Sequence, residues 1–144
     1  MPAVEERFTS ALHSTARAWR QALDHRLKHL GMSQASWLAI AVTAKAKAPL
    51  SQSELAAQLG VEGATIVAMI DRLAKAGLVV RAPSPTDRRV KRIALTDEGT
   101  RLYAKLRAEA DAFRREILAQ VDPKALGIAA EILERLQQIV EAQA

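Results

Sequence analysis

Residues 51–95 read SQSELAAQLGVEGATIVAMIDRLAKAGLVVRAPSPTDRRVKRIAL, and this stretch decides the fold. It opens on Ser51-Gln52-Ser53-Glu54, a capping box. The Ser51 hydroxyl can accept from the third helical amide while Glu54 reaches back. The helix it starts is short, through Leu55, Ala56 and Leu59, and Gly60 is its natural stop. A second helix follows over 62–76, with Ile66, Met69, Ile70 and Leu73 on one face, and Gly77 closes it. Two helices joined by a tight glycine-containing turn form a helix-turn-helix. Leu78-Val79-Val80-Arg81 is then β-rich, Pro83-Ser84-Pro85-Thr86-Asp87 is turn chemistry, and Val90 to Leu95 returns as a strand. The expected product is a β-hairpin, a wing over 81–95, with a basic tip.

Charge is concentrated in the same place. Residues 81–92 hold Arg81, Arg88, Arg89, Lys91 and Arg92 against Asp87 alone, a net +4 within a chain whose total is +5. Such density on a hairpin is the footprint of a polyanion binder. A membrane surface would attract it too, but membrane binding normally uses a basic amphipathic helix, and this segment contains two prolines.

Working outward, residues 5–30 have helical periodicity through Phe8, Leu12, Trp19, Leu23, Leu27 and Leu30, with Gly31 at the end. Ser33 fits the N-cap of a helix through Trp37, Leu38, Ile40 and Val42. Downstream, Thr96 can cap a helix running to about residue 120 with Leu102, Leu106, Ala110, Phe113 and Ile117 in one stripe. Asp122-Pro123 starts a last helix. There Leu126, Ala129, Leu133, Leu136 and Val140 form one stripe, and Ile128, Ile132 and Ile139 a second beside it. A helix apolar over so wide an arc must be covered on two sides. A homodimer built by the first helix and the last two is therefore expected, with Phe8, Leu12, Phe113, Ile117, Leu126, Leu133, Leu136 and Val140 as candidate contacts.

The chain has 144 residues, 49% apolar, 26% charged and only 3% aromatic, the balance of one ordinary globular domain with an aliphatic core. The absence of cysteine excludes disulfides, thiolate metal sites and cysteine redox sensing. No apolar run approaches a membrane span and the first residues show no secretory pattern, so a cytoplasmic location is expected. A phosphate loop, a nucleophile elbow and HExxH are all missing, so the reading is not an enzyme and no cofactor is expected. His25 and His29 lie one helical turn apart, but no third ligand is evident and no metal is expected.

The element order is helix, helix, helix-turn-helix, basic hairpin and two long helices. Together with Leu50 to Ala56, Asp71-Arg72-Leu73, Gly77-Leu78-Val79 and Thr86 to Thr96, it resembles the MarR family of bacterial transcriptional regulators. Asp24 to Lys28 and Trp37 resemble its SlyA-like branch. The resemblance covers essentially the whole chain. It implies a mainly α fold with a small β-hairpin, a single domain over 1–144. A winged helix-turn-helix would occupy 32–97, and residues 1–31 and 98–144 would form the helical dimerisation frame. It also implies a homodimeric repressor-type regulator on a palindromic operator.

A helix of this length fits the major groove of double-stranded DNA. With its apolar face turned inward, 62–76 would present Ala64, Thr65, Ala68, Asp71, Arg72 and Lys75 outward, with Gly63 and Val67 at the margin. Thr65 and Arg72 are the base-edge donors, and Ala64, Val67 or Ala68 can touch thymine methyls. Relatives in the SlyA-like branch often carry a basic residue where Ala68 stands, so more of the affinity would come from the wing and from DNA shape. A structural reading stays open, in which Thr65 is a second cap group and Arg72 only snorkels. Ser51 joins the candidate DNA contacts. In the wing, the resemblance assigns Arg89 to minor-groove insertion and Asp87 to holding it, while Arg88, Lys91 and Arg92 would neutralise phosphates.

The family commonly binds small aromatic or phenolic ligands, and His13, Arg17, Trp19 and Trp37 are the candidate liners here. As core fillers the two tryptophans have an ordinary alternative role. Two other functions compete with specific DNA reading: a winged-helix protein-interaction module and a nonspecific architectural DNA binder. The concentrated charge of the wing favours DNA.

Overall fold

Local chemistry at the chain's punctuation marks becomes structure directly. In a computed structural model that describes residues 3–143, Ser51 Oγ accepts from the Glu54 amide at 3.1 Å and the Ser51 amide donates to Glu54 Oε1 at 3.1 Å. The capping box therefore starts α3 (Gln52–Leu59), and Gly60 ends it at φ 67°, a left-handed conformation that suits glycine. Ser33 caps α2 (Gln34–Lys45) through the Ser36 amide, and Asp122 caps α6 (Pro123–Glu141) through the Ala125 amide.

The other helices are α1 (Val4–Leu27), α4 (Gly63–Lys75) and α5 (Asp97–Leu118). The expected helix over 5–30 stops three residues early. A short 3-10 turn, Lys28–Leu30, completes it before Gly31 turns left-handed. The helix expected at 62–76 loses one residue at each end, with Glu62 as N-cap and Ala76 as C-cap.

The hairpin strands are β2 (Val79–Pro83) and β3 (Lys91–Leu95), paired antiparallel with Arg81 opposite Ile93. The sheet has a third strand that periodicity did not reveal. β1 (Leu50–Ser51) pairs with the other edge of β3, Leu50 opposite Ile93 and Ser51 opposite Arg92, so the order is β1-β3-β2. Two residues are too few to display an alternating pattern. β1 matters because it joins the start of α3 to the wing.

The chain divides between Ala110 and Asp111 into two compact units. In the first, α4 packs on α2, α3 and β2, and α2 also packs on β3. Leu27, Ile40, Leu55, Ile66, Ile70, Val79 and Ile93 are its fully buried aliphatic side chains. All four residues assigned to the inner face of α4 are buried. The second unit holds the end of α5 and α6, on which Ile128, Ile132, Leu133, Ile139 and Val140 are exposed. Among the described residues, no helix is long and apolar enough to cross a membrane.

The start of α5 is seated against the end of the helix-turn-helix. The Thr96 amide donates to the Leu78 carbonyl at 3.1 Å, Thr96 Oγ1 donates to the Gly77 carbonyl at 2.6 Å, and the Gly99 amide donates to Thr96 Oγ1 at 3.0 Å. A Cβ on Gly99 would overlap the Leu78 carbonyl oxygen. Alanine in a helix ordinarily gains about 1 kcal/mol over glycine. Here the backbone would have to move, and such overpacking costs about 1–3 kcal/mol. Gly99→Ala is therefore expected to destabilise the protein, and a denaturant titration that shows it unchanged or stabilised would refute the close approach.

Candidate nucleic-acid interface

The outer face of α4 is presented as its periodicity requires. Gly63, Ala64, Thr65, Val67, Ala68, Asp71, Arg72 and Lys75 are all exposed, because every apolar anchor of the helix faces the core. Among the described residues, no side chain caps the amides of its first turn, where Glu62 is the N-cap. Thr65 therefore does not act as a second cap, and its hydroxyl shares the outer face with Arg72. Ser51 is different. It is half-buried and its oxygen already accepts from Glu54, so the structure gives it a capping role.

The wing tip is a set of short-range hydrogen bonds. Ser84 is buried, its amide donates to the Val90 carbonyl at 2.8 Å, and the Thr86 amide donates to Ser84 Oγ at 3.3 Å. The Val90 amide donates to the Asp87 carbonyl at 3.1 Å. This turn sets Asp87 beside Arg89. The Arg89 amide donates to Asp87 Oδ1 at 3.0 Å, Nε to the same oxygen at 3.2 Å, and Nη2 to Oδ2 at 3.4 Å. The Arg89 side chain is nonetheless 91% exposed. A guanidinium is thus aimed from one side by a carboxylate and left open on the other. The hydrogen bonds from the Arg89 side chain and amide hold the Asp87 carboxyl below its ordinary pKa.

The other cations of the wing divide into two groups. Arg88 and Lys91 are exposed. Arg92 was expected to face phosphates, but it is half-buried, and its Nη1 donates to the Pro49 carbonyl at 2.7 Å, stitching β3 to the segment before β1. Its charge also helps to lower the Glu54 pKa, chiefly set by the hydrogen bonds with Ser51. Arg81 likewise turns back. Its Nε donates to Gln52 Oε1 at 2.7 Å, and its Nη2 lies 2.7 Å from Asp71 Oδ1 and 3.4 Å from the Val67 carbonyl. Sequence reasoning counted Arg81 only as charge. Its partners Gln52, Val67 and Asp71 lie 29, 14 and 10 residues away, out of reach of any local pattern.

The comparisons with known proteins bear on the fold and the family. The description of the MarR family matches residues 30–90, the span from the last residue of the 3-10 turn through the wing tip. A solved transcriptional regulator, PA3341, is 38% identical to this chain, with 94% of this chain and 98% of that one covered and a TM-score of 0.84. The chain belongs to the MarR family of transcriptional regulators. Two further similar structures come from Rhodococcus. A MarR-family regulator from Rhodococcus sp. RHA1 is 25% identical over 94% of this chain and 96% of its own, with a TM-score of 0.80. CouR from Rhodococcus jostii RHA1, solved with p-coumaroyl-CoA bound, is 26% identical over 94% and 95%, with a TM-score of 0.79. The winged helix-turn-helix of this MarR-family chain is thus the fold of its relatives.

Elsewhere, the expected residues scatter. His13 and Arg17 are exposed and line one groove of about 510 Å³ together with Leu12, Arg20 and Gln34. Trp19 and Trp37 are half-buried and do not line it; Trp37 Nε1 is buried without a hydrogen-bond partner among the described residues. Of the candidate dimer contacts, Phe8, Ile117, Leu133 and Val140 are exposed and Leu12, Leu126 and Leu136 are half-buried. Phe113 departs from the expectation: it is only 7% exposed, so its ring is already covered within one chain.

The Asp87–Arg89 pair has a testable pH signature. A lowered carboxyl pKa means that its contribution is present above the ordinary aspartate range and is lost only as pH falls through the lower folded value. A carbon-detected NMR titration is expected to give Asp87 a midpoint below that of a free aspartate. Replacing Arg89 with Ala should return it toward the ordinary value. A wild-type midpoint at or above the free value would mean that the pair does not form in solution.

Proposed function

We propose that this MarR-family regulator works as a homodimer that reads double-stranded DNA, with α4 in the major groove and the wing in the adjacent minor groove. The observation that carries the reading is Arg89: exposed, charged, and steered by Asp87 at the end of a hydrogen-bonded turn. A narrow minor groove concentrates negative potential and draws in such a guanidinium. Arg88 and Lys91 would meet flanking phosphates. Thr65 and Arg72 would donate to base edges, with Ala64, Val67 and Ala68 against thymine methyls and Gly63 and Ser51 near the backbone. A dimer implies a palindromic operator with half-sites about one helical turn apart. Repression would follow from occupying a promoter in the cytoplasm. Asp24 to Lys28 and the wing motif support a SlyA-like placement within the family.

Dimerisation is supported by the apolar side chains that α6 leaves in water. Ile128 at 59%, Ile132 at 50% and Val140 at 59% exposed are more than a lone chain ordinarily tolerates on one helix. Phe8, Leu12, Ile117, Leu126, Leu133 and Leu136 would extend the buried surface. A regulatory ligand is supported by the groove beside His13, Arg17 and Arg20, which suits an acidic molecule. The anionic aromatic thioester bound by CouR is of that chemical type. Such a ligand would act through different affinities for DNA-competent and incompetent dimers.

Fluorescence anisotropy with DNA from upstream of the protein's own gene tests the core of this reading. Arg89→Ala is expected to lose at least about tenfold in affinity with its circular dichroism intact. Unchanged affinity would remove the wing from the interface. Equal binding to scrambled DNA would favour an architectural role, and no binding at low salt a protein-interaction module. Leu133→Asp is expected to yield monomers or unfolded chain in light scattering, and an unperturbed folded dimer would refute the α6 interface.

A further inference from the structure

The Arg81 guanidinium touches all three parts of the DNA-reading unit. It belongs to β2 in the wing, yet it donates to Gln52 at the first turn of α3 and pairs with Asp71 on α4. Its side chain is 27% exposed, whereas that of Asp71 is 61% exposed, on the outer face of α4. Neither fact suits a simple phosphate contact. A cation meant for phosphates gains nothing from being covered. An unneutralised carboxylate on a face turned to DNA would repel it. The arrangement suits a joint instead. The planar guanidinium fork can serve two acceptors from two elements at once, in fixed directions, which a lysine ammonium cannot do.

We propose that Arg81, through Gln52 and Asp71, is a positioning residue that fixes the wing at the spacing from α4 needed for both to enter their grooves together, and so sets specificity rather than bulk affinity. This rests on the reading that α4 and the wing both meet DNA. The physical reason is preorganisation. Phosphate attraction tolerates a wing that swings, because negative charge lies all along the duplex. Simultaneous major- and minor-groove contact does not tolerate it. A loosened wing therefore loses operator affinity and keeps nonspecific affinity. Asp71 contributes in a second way, since it cancels a positive charge that would otherwise attract any DNA.

Charge-neutral and charge-raising variants separate this from ordinary electrostatics. The probes are a duplex enriched from a random pool by the wild-type protein and a scrambled duplex of the same composition, each titrated at several salt concentrations. Arg81→Lys keeps the charge and loses the fork. It is expected to weaken binding to the enriched duplex about tenfold, leaving scrambled binding and the salt slope as they are. Asp71→Asn raises the net charge by one. It is expected to tighten scrambled binding and still weaken enriched binding. Gln52→Ala, which changes no charge, should follow Arg81→Lys with a smaller loss, and it decides the matter if Arg81→Lys unfolds. Wild-type affinity for both duplexes in Arg81→Lys and Gln52→Ala, or parallel tightening on both duplexes in Asp71→Asn, overturns the proposal. Arg89→Ala run alongside keeps the two readings apart. If it is silent, the wing reading falls and the joint with it. If it weakens binding while the Arg81, Gln52 and Asp71 variants behave as plain charges, only the joint falls.

Discussion

The burial of one face of α4 is the constraint on which the rest depends. Ile66, Met69, Ile70 and Leu73 are all buried, along with Leu55 from α3, Val79 from β2 and Ile93 from β3. Burying each such side chain contributes about 1.5–3 kcal/mol relative to exposure. The helix therefore cannot rotate about its axis without moving several of these groups into water. That rotational lock selects which residues face outward. Thr65, Val67, Ala68 and Arg72 form the outer surface because their neighbours are held inside.

The same core anchors the wing. Ile93 is the central residue of the three-stranded sheet, opposite Leu50 on one side and Arg81 on the other. Its burial fixes β3, and β3 carries Lys91 and Arg92 in register. Register then divides the basic residues by purpose. Arg92 and Arg81 reach back to Pro49, Gln52 and Asp71, while Arg88, Arg89 and Lys91 remain in solvent. A net charge summed over 81–92 does not distinguish these uses. Two of the five cations are spent on internal geometry, and the electrostatic surface of the wing is correspondingly smaller than the composition suggests.

Much of this was legible beforehand because it is local. The capping box at Ser51 and Glu54, the caps at Ser33 and Asp122, and the left-handed glycines at 31, 60 and 77 depend on residues within a turn of one another. The apolar period of α4 is similarly local, and the Asp87–Arg89 pair, which the family resemblance implied, spans only two residues. The missed features are of another kind. β1 has only two residues and exists because β3 offers it an edge. Gly99 reads as a weak helix residue until the Leu78 carbonyl is seen against it. Phe113 reads as part of an apolar stripe, and nothing in a stripe says whether its cover comes from the same chain or another.

The sequence by itself determined the helices, the hairpin and their order, the inner face of α4 and the basic character of the wing, since periodicity, capping and charge are properties of neighbours along the chain. The tertiary structure alone decided which cations stay free, how β1 closes the sheet, and that Arg81 joins the wing to both helices. Those outcomes depend on pairs 10 to 43 residues apart, whose meeting is set by packing of the core and carries no signature in the residues between them.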